Sequence, residues 1–236
     1  MLYKIADLIV EVPEVGGLAS RCQDYLWNGE NGADITIRTE LYDATKYQPG
    51  ISENSLAYME AARQFYAYLL NYGGFYLHSS AIEVDGKVYL FSGHSGVGKS
   101  THSGLWKQVY GEECRVINDD KPALRCVDGQ WTAYGTPWCG KDGINQNRKA
   151  PLAGICFLKQ SDKNRIRRLS YVEATQRILP QTIYKFKNHE KLDLLLGYID
   201  NLVRAIPIFE LENRPEPEAA ILSYETMVRT AKEMGL

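Results

Sequence analysis

Residues 93–100 read Gly-His-Ser-Gly-Val-Gly-Lys-Ser and match the pattern GxxxxGK[ST] at every fixed position. At average residue usage, four constrained positions coincide by chance in about one per cent of chains this long. The pattern limits what the surrounding chain can be, because each residue type has a physical task. Glycines allow the backbone to turn consecutive N–H groups onto an anion with no Cβ in the way. A helix starting at the end of the loop points its positive end at the same anion. Lys99 supplies a flexible cation for the β- and γ-phosphates, and the Ser100 hydroxyl is a hard donor suited to Mg²⁺. A turn that only joined a strand to a helix would account for the glycines but not for Lys99 and Ser100.

The flanks have the required character. Residues 75–84 are apolar and alternating, Asp85-Gly86 signals a type I′ turn, and residues 87–92 form the second strand of an antiparallel hairpin that runs into the loop. Residues 101–110 read as the following helix. The expectation is therefore that Gly93, His94, Ser95, Gly96, Val97, Gly98, Lys99, Ser100 and Thr101 hold ATP or another nucleoside triphosphate, with Mg²⁺. His94 has no fixed task in the pattern and is read as loop filling.

A second motif stands some twenty residues on. Residues 115–118 form a short apolar strand that ends in Asp119-Asp120, where a metal-binding carboxylate of such a site belongs. One carboxylate suffices for the metal, and the other could take the proton of an attacking hydroxyl. Neighbouring strand residues point to opposite sides, so both reach one site only if the strand has ended and the backbone bends. The plainer alternative is an Asx turn before Lys121-Pro122.

Elsewhere, residues 4–12 and 33–40 read as strands, and residues 54–71 as a helix stopped by Gly73-Gly74. Residues 124–127 and 130–134 form a hairpin about Asp128-Gly129, and residues 152–159 a buried strand. Helices over 172–179, 190–205 and 217–234, with a short strand at 208–211, make the last third mainly helical. With 236 residues the chain suits one large domain: residues 1–74 as its N-terminal β/α part and residues 75–236 as its core with the C-terminal helices. The net charge of −2 offers no general attraction for nucleic acid or membrane. Five cysteines without a CxxC pair, no apolar stretch long enough to span a bilayer, and an acid at Asp7 where a signal peptide needs apolar residues all point to the cytoplasm.

From Leu77 to Asp120 the chain resembles the HPr kinase/phosphorylase and phosphoenolpyruvate carboxykinase superfamily. His78 in the first hairpin strand, the loop 93–101 and the pair Asp119-Asp120 carry the resemblance, together with the hairpin leading directly into the loop. It implies an α/β fold of the HPr-kinase-like, phosphate-loop type, with a mixed, largely antiparallel sheet. It also implies a kinase that moves a γ-phosphoryl group to a hydroxyl of a protein, peptide or small molecule. Asp119 would be the base, Asp120 and Ser100 would hold the metal, Lys99 would contact the phosphates, and His78 would sit near the reacting group. Relatives in that superfamily assemble, so a homo-oligomer is allowed. The separate N-terminal domain of the bifunctional HPr kinases and their glycine-rich segment after the acidic pair have no counterpart here. That departure favours the smaller relatives, which phosphorylate other hydroxyls.

Two weaker features complete the reading. Residues 135–148 are turn-rich, with Trp138, Lys141 and Arg148 among small residues, and are expected to cover the site, Lys141 or Arg148 steadying phosphoryl charge. The basic run Lys159, Lys163, Arg165, Arg167 and Arg168 reads as a solvated hairpin, or else as a dock for an acidic peptide. A nucleotide-sensing regulator and a plain ATPase remain the alternatives to a kinase, each needing the loop but not both carboxylates.

Overall fold

The computed structural model describes residues 1–14, 17–38, 50–183 and 188–236. At the N-terminus, β1 (Leu2–Ile5) and β2 (Leu8–Glu11) form an antiparallel hairpin, and β3 (Ile35–Thr36) lies parallel to β2. A one-turn helix, α1 (Leu18–Arg21), stands between them. The single strand expected over 4–12 is thus cut in two. Its turn is Ala6-Asp7, at φ 52° and 61°, a left-handed pair with no glycine and so no signal in the sequence. Tertiary contacts hold it. Arg125 donates to the Ala6 carbonyl at 2.6 Å, and the Asp7 carboxylate accepts from Lys149 at 2.5 Å and Tyr134 at 3.0 Å. Of the strand expected over 33–40, only Ile35 and Thr36 pair, and Thr39 and Glu40 lie outside the described residues.

Helix α2 (Glu53–Leu69) is capped by Ser52, whose hydroxyl accepts from the Ser55 N–H at 3.3 Å. Beyond it come β4 (Gly74–Tyr76), β5 (Ser79–Val84), β6 (Lys87–Ser92), α3 (Lys99–Tyr110), β7 (Arg115–Asn118), β8 (Ala123–Val127), β9 (Gln130–Tyr134) and β10 (Lys149–Gln160). The last third holds β11 (Arg165–Arg168), α4 (Tyr171–Ile178), α5 (His189–Ala205), β12 (Ile208–Asn213) and α6 (Pro217–Glu233). Among the described residues, β4 to β12 make one mixed sheet in the order β4-β8-β9-β10-β6-β5-β7, with β12 on β10 and β11 on β12. Most pairs are antiparallel. The centre is not, since β10 runs parallel to both β6 and β12.

Two further expectations are corrected. Residues 75–84 are not one strand: the chain leaves β4, which pairs with β8, and re-enters at β5, which pairs with β6 and β7. The break at Leu77-His78 is held by the His78 N–H donating to the Gln181 carbonyl at 2.8 Å. The basic run is not a simple hairpin either, because β12 inserts between β10 and β11. It brings its own acids: Glu212 meets Lys159 at 2.8 Å, and Glu210 meets Arg167 at 3.0 Å. These partners neutralise part of the charge that an acidic peptide would need.

Apolar residues of the sheet pack against helices on both faces. Phe91, Trp106 and Met227 belong to the cluster under α3 and α6, and Leu90, Phe157, Leu195 and Ile199 to the one under α5. A third cluster joins the N-terminal hairpin and α2 to the loop after β9 through Tyr25, Phe65 and Trp138. Cys22, Cys114, Cys139 and Cys156 are buried free thiols, and Cys126 is half-buried. No described helix is long and apolar enough to cross a membrane.

Candidate functional site

The sheet topology brings three chain segments to one end. β5 is antiparallel to β6 and to β7, with Ser79 opposite Ser92 and Ala81 opposite Asn118. The start of β5 therefore lies beside the ends of the other two strands, and His78, the loop from Gly93 and the pair Asp119-Asp120 converge there. They line a cleft of about 650 Å³ with Ser95, Lys99, Ser100 and Thr101, a size ordinary for a small-molecule site.

The loop is shaped by three glycines at positive φ: Gly93 at 146°, Gly96 at 82° and Gly98 at 107°. At Gly93 a Cβ would also come within 2.9 Å of the Val97 side chain. Val97 anchors the loop by its burial, and its N–H donates to the His94 carbonyl at 3.2 Å. Gly98 is the N-cap of α3 and no side chain caps it, so the first N–H groups of the helix face the cleft without a local acceptor. Helix α3 starts at Lys99, two residues earlier than expected. Lys99 Nζ donates to the carbonyls of Gly93 and His94 at 3.2 and 3.4 Å. Burial lowers its pKa, with Asp120 opposing and Lys121 adding to the effect. His94 is exposed and its Nδ1 meets the Ser95 carbonyl at 2.9 Å, which suits loop filling.

Asn118, which the sequence reading passed over, makes both carboxylates face one cleft. Strand β7 ends on it, and its side-chain oxygen accepts from the N–H of Asp120 at 3.0 Å and of Lys121 at 2.7 Å. Its amide donates to the carbonyls of Thr136 at 3.0 Å and Trp138 at 3.2 Å. One buried side chain thus bends the acidic pair out of the strand and ties it to the loop after β9. The Asx turn exists, but Asn118 makes it. An Asn118→Ala variant should lose roughly 2 kcal/mol of stability, since buried partners are left unpaired; an unchanged unfolding midpoint would contradict this account.

The two carboxylates are treated differently. Asp119 is 7% exposed. Its Oδ1 accepts from the Gly140 N–H at 2.6 Å, while Oδ2 has no hydrogen-bond partner among the described residues. Burial raises its pKa from the ordinary carboxylate value, the N–H groups of Gly140 and of Asp119 itself opposing and the charges of Asp120 and Asp142 adding. Asp120 accepts from His78 Nε2 at 3.0 Å on one oxygen and pairs with Lys121 on the other. Burial would raise its carboxyl, but His78 and Lys121 outweigh burial and hold it at about 2. The other ring nitrogen of His78 meets Gln181 at 3.1 Å, a partner from the far side of the sequence.

The segment after β9 divides in two. Gly140, Lys141 and Asp142 line the cleft. Arg148 is not brought there: its guanidinium makes a two-pronged pair with Glu83 of β5 at 2.7 and 2.8 Å. The physical reason is that Arg148 directly precedes β10 and its backbone stays in register with Gly135, so its side chain follows the sheet and not the loop. Helix α2 pins the cleft wall from behind. The Tyr66 hydroxyl meets the Lys121 carbonyl and Thr136, and the Tyr58 hydroxyl donates to the Cys139 carbonyl at 3.1 Å and accepts from its N–H at 2.8 Å.

Comparison with known proteins relates the chain to a family model and to solved structures. A family model described as "SynChlorMet cassette protein ScmC" matches residues 51–214. The solved structure of the HPr(Ser) kinase/phosphatase from Coxiella burnetii is similar at 14% identity, over 66% of this chain and 90% of that one, with a TM-score of 0.38. A likeness that loose supports no conclusion about this chain. No curated protein matches it.

Proposed function

This chain belongs to the family described as SynChlorMet cassette protein ScmC, and from its own site residues we propose that it is a kinase of the HPr-kinase-like type. It transfers the γ-phosphoryl group of ATP, or of another nucleoside triphosphate, to a hydroxyl of a protein, peptide or small molecule. One observation carries this reading: a cleft lined by uncapped helix N–H groups, Lys99 and Ser100 also holds a buried carboxylate, Asp119, with one oxygen anchored and the other free. A sensor of nucleotide needs the first set and has no use for the second.

The roles follow from the chemistry. The N–H groups at the start of α3 and the glycine-rich loop 93–98 bind phosphate oxygens. Lys99 gives up its loop carbonyls for the β- and γ-phosphates. Gly140 holds the Asp119 carboxylate still while its free oxygen accepts the acceptor's proton. His78, fixed by Gln181, orients Asp120. Lys141 replaces Arg148 as the cation placed to steady phosphoryl charge from the covering loop. Magnesium suits this donor set as an ion held jointly with the nucleotide. Ser100 and Asp120 offer hard oxygens, and the described residues include no cluster of three acidic, His or Cys side chains that would keep a resident ion. Ser100 and Asp120 would hold it, Asp120 exchanging one of its present partners, and the ion would neutralise charge on the phosphates.

The test is transfer of labelled γ-phosphate from ATP with Mg²⁺ to serine peptides, free serine and an HPr-like protein, beside an acceptor-free control. Label on an acceptor is expected. Phosphate released only to water would replace the kinase with an ATPase, and bound nucleotide without turnover would replace it with a regulator. The pH profile adds a check. Asp119 works only as carboxylate, so transfer should rise with pH as it ionises, and its acid limb should be displaced upward from that of an ordinary aspartate. A rate with no acid limb at all would remove Asp119 as the base.

A further inference from the structure

A smaller cavity of about 150 Å³ adjoins the cleft and shares Ser100, Asp119 and Asp142 with it. Its inner wall includes Ser80 of β5 and Ser103 of α3, and Val116 and Ile144 make it partly apolar. Lys107 and Gly104, both exposed, stand at its outer side. Ser80 is 1% exposed and Ser103 is 4% exposed, yet neither hydroxyl has a hydrogen-bond partner among the described residues. Two orphaned buried hydroxyls beside one small cavity are unusual, because buried polar groups in folded proteins are nearly always satisfied.

We infer that this cavity binds the phosphate acceptor, and that Ser80 and Ser103 orient the acceptor's hydroxyl-bearing head toward Asp119. The inference rests on the phosphotransfer reading above. Three observations join in it. The cavity meets the cleft at Asp119 and Ser100, so a group inside it reaches the residues that flank the transferred phosphoryl group. Asp119 Oδ2 carries no other partner. The unpaired hydroxyls supply directional contacts that a second polar atom of the acceptor would complete by small side-chain rotations.

The size sets the chemical class. A volume of 150 Å³ suits a small hydroxyl-bearing head such as a serine or threonine side chain, and a ring the size of benzene is about the largest group that a cavity of this volume holds. Val116 and Ile144 suit the carbon skeleton of such a head. In the transfer, the acceptor oxygen bonds to the γ-phosphorus as the bond from that phosphorus to the bridging oxygen breaks. The nucleoside diphosphate leaves with the electron pair, and the acceptor's proton passes to Asp119 Oδ2. Nothing is oxidised or reduced.

The experiment compares the full chain with Ser80→Ala, Ser103→Ala and the cavity-filling Ser103→Val. Affinity for ATP is measured first. Acceptor kinetics follow with free L-serine and a short serine peptide, the two probes separating a free hydroxy amino acid from a chain-borne one. Ser80→Ala and Ser103→Ala should raise KM for the serine probe about tenfold, as expected for one lost hydrogen bond, with ATP affinity unchanged. Ser103→Val should block transfer to it. An unchanged KM for the serine probes in Ser80→Ala and Ser103→Ala, or undiminished transfer in Ser103→Val, would overturn the acceptor site while leaving the kinase standing. A parent chain that binds no ATP would instead remove the phosphotransfer reading, and the acceptor site with it.

Discussion

Asp119→Asn is expected to lower phosphoryl transfer by about 10³-fold while leaving nucleotide affinity close to that of the parent chain. General-base assistance is worth roughly 10²- to 10⁴-fold, and the amide has lost the basic oxygen that takes the proton. The substitution is well chosen for this site. The Asn side-chain oxygen can still accept from the Gly140 N–H, which now reaches Oδ1 at 2.6 Å, so the covering loop keeps its anchor. Burial of the carboxylate, which raises its pKa, no longer has to be opposed, so the variant should be at least as stable as the parent. Transfer at the parent rate would mean that Asp119 is not the base. A fall in transfer matched by an equal fall in ATP affinity would mean that it acts on the nucleotide.

The second large effect is structural. Trp138 is fully buried, stacks on Phe65 at 4.7 Å between ring centroids, and meets Tyr66 edge-on at 5.7 Å. Trp138→Ala should cost about 3–5 kcal/mol, the usual loss for removing a large aromatic side chain from a core. For a chain of this length that corresponds to a fall in Tm of roughly 10 °C. It should also lower transfer in the folded protein, because Trp138 stands two residues before Gly140, and its carbonyl accepts from Asn118 at 3.2 Å. Loosening it releases both the N–H on Asp119 and the bend of the acidic pair. Trp138→Phe keeps a ring on Phe65 and should recover most of the stability. A Tm unchanged in Trp138→Ala would show that the loop is held by other contacts, such as Tyr58 and Thr136.

Much of this arrangement was legible in the chain because its causes are local. Turn chemistry at Asp85-Gly86 and Asp128-Gly129 marks two hairpins, and both pairs take the left-handed conformation expected of them. The glycines of the loop need no distant partner to be recognised, and helix α3 is expected because the phosphate-loop pattern ends in a helix start. The Ala6-Asp7 turn carries no such mark. It exists because Arg125, Lys149 and Tyr134, far along the chain, hold it. The same holds for the break at Leu77-His78, where a continuous apolar run is divided between two parts of the sheet by pairing that local residues do not specify.

By itself the sequence determined the loop that begins α3, the hairpin that leads into it, and the presence of two carboxylates after a short strand. These depend on backbone freedom and side-chain chemistry within a few residues. Only the tertiary structure decided that both carboxylates face the cleft, through the bend made by Asn118. It also decided that His78 meets Asp120, because antiparallel pairing puts the start of β5 beside the end of β7. Finally, it assigned Arg148 to Glu83 and left Lys141 at the site, since a side chain at the root of a strand is directed by the sheet and one at the tip of a loop is not.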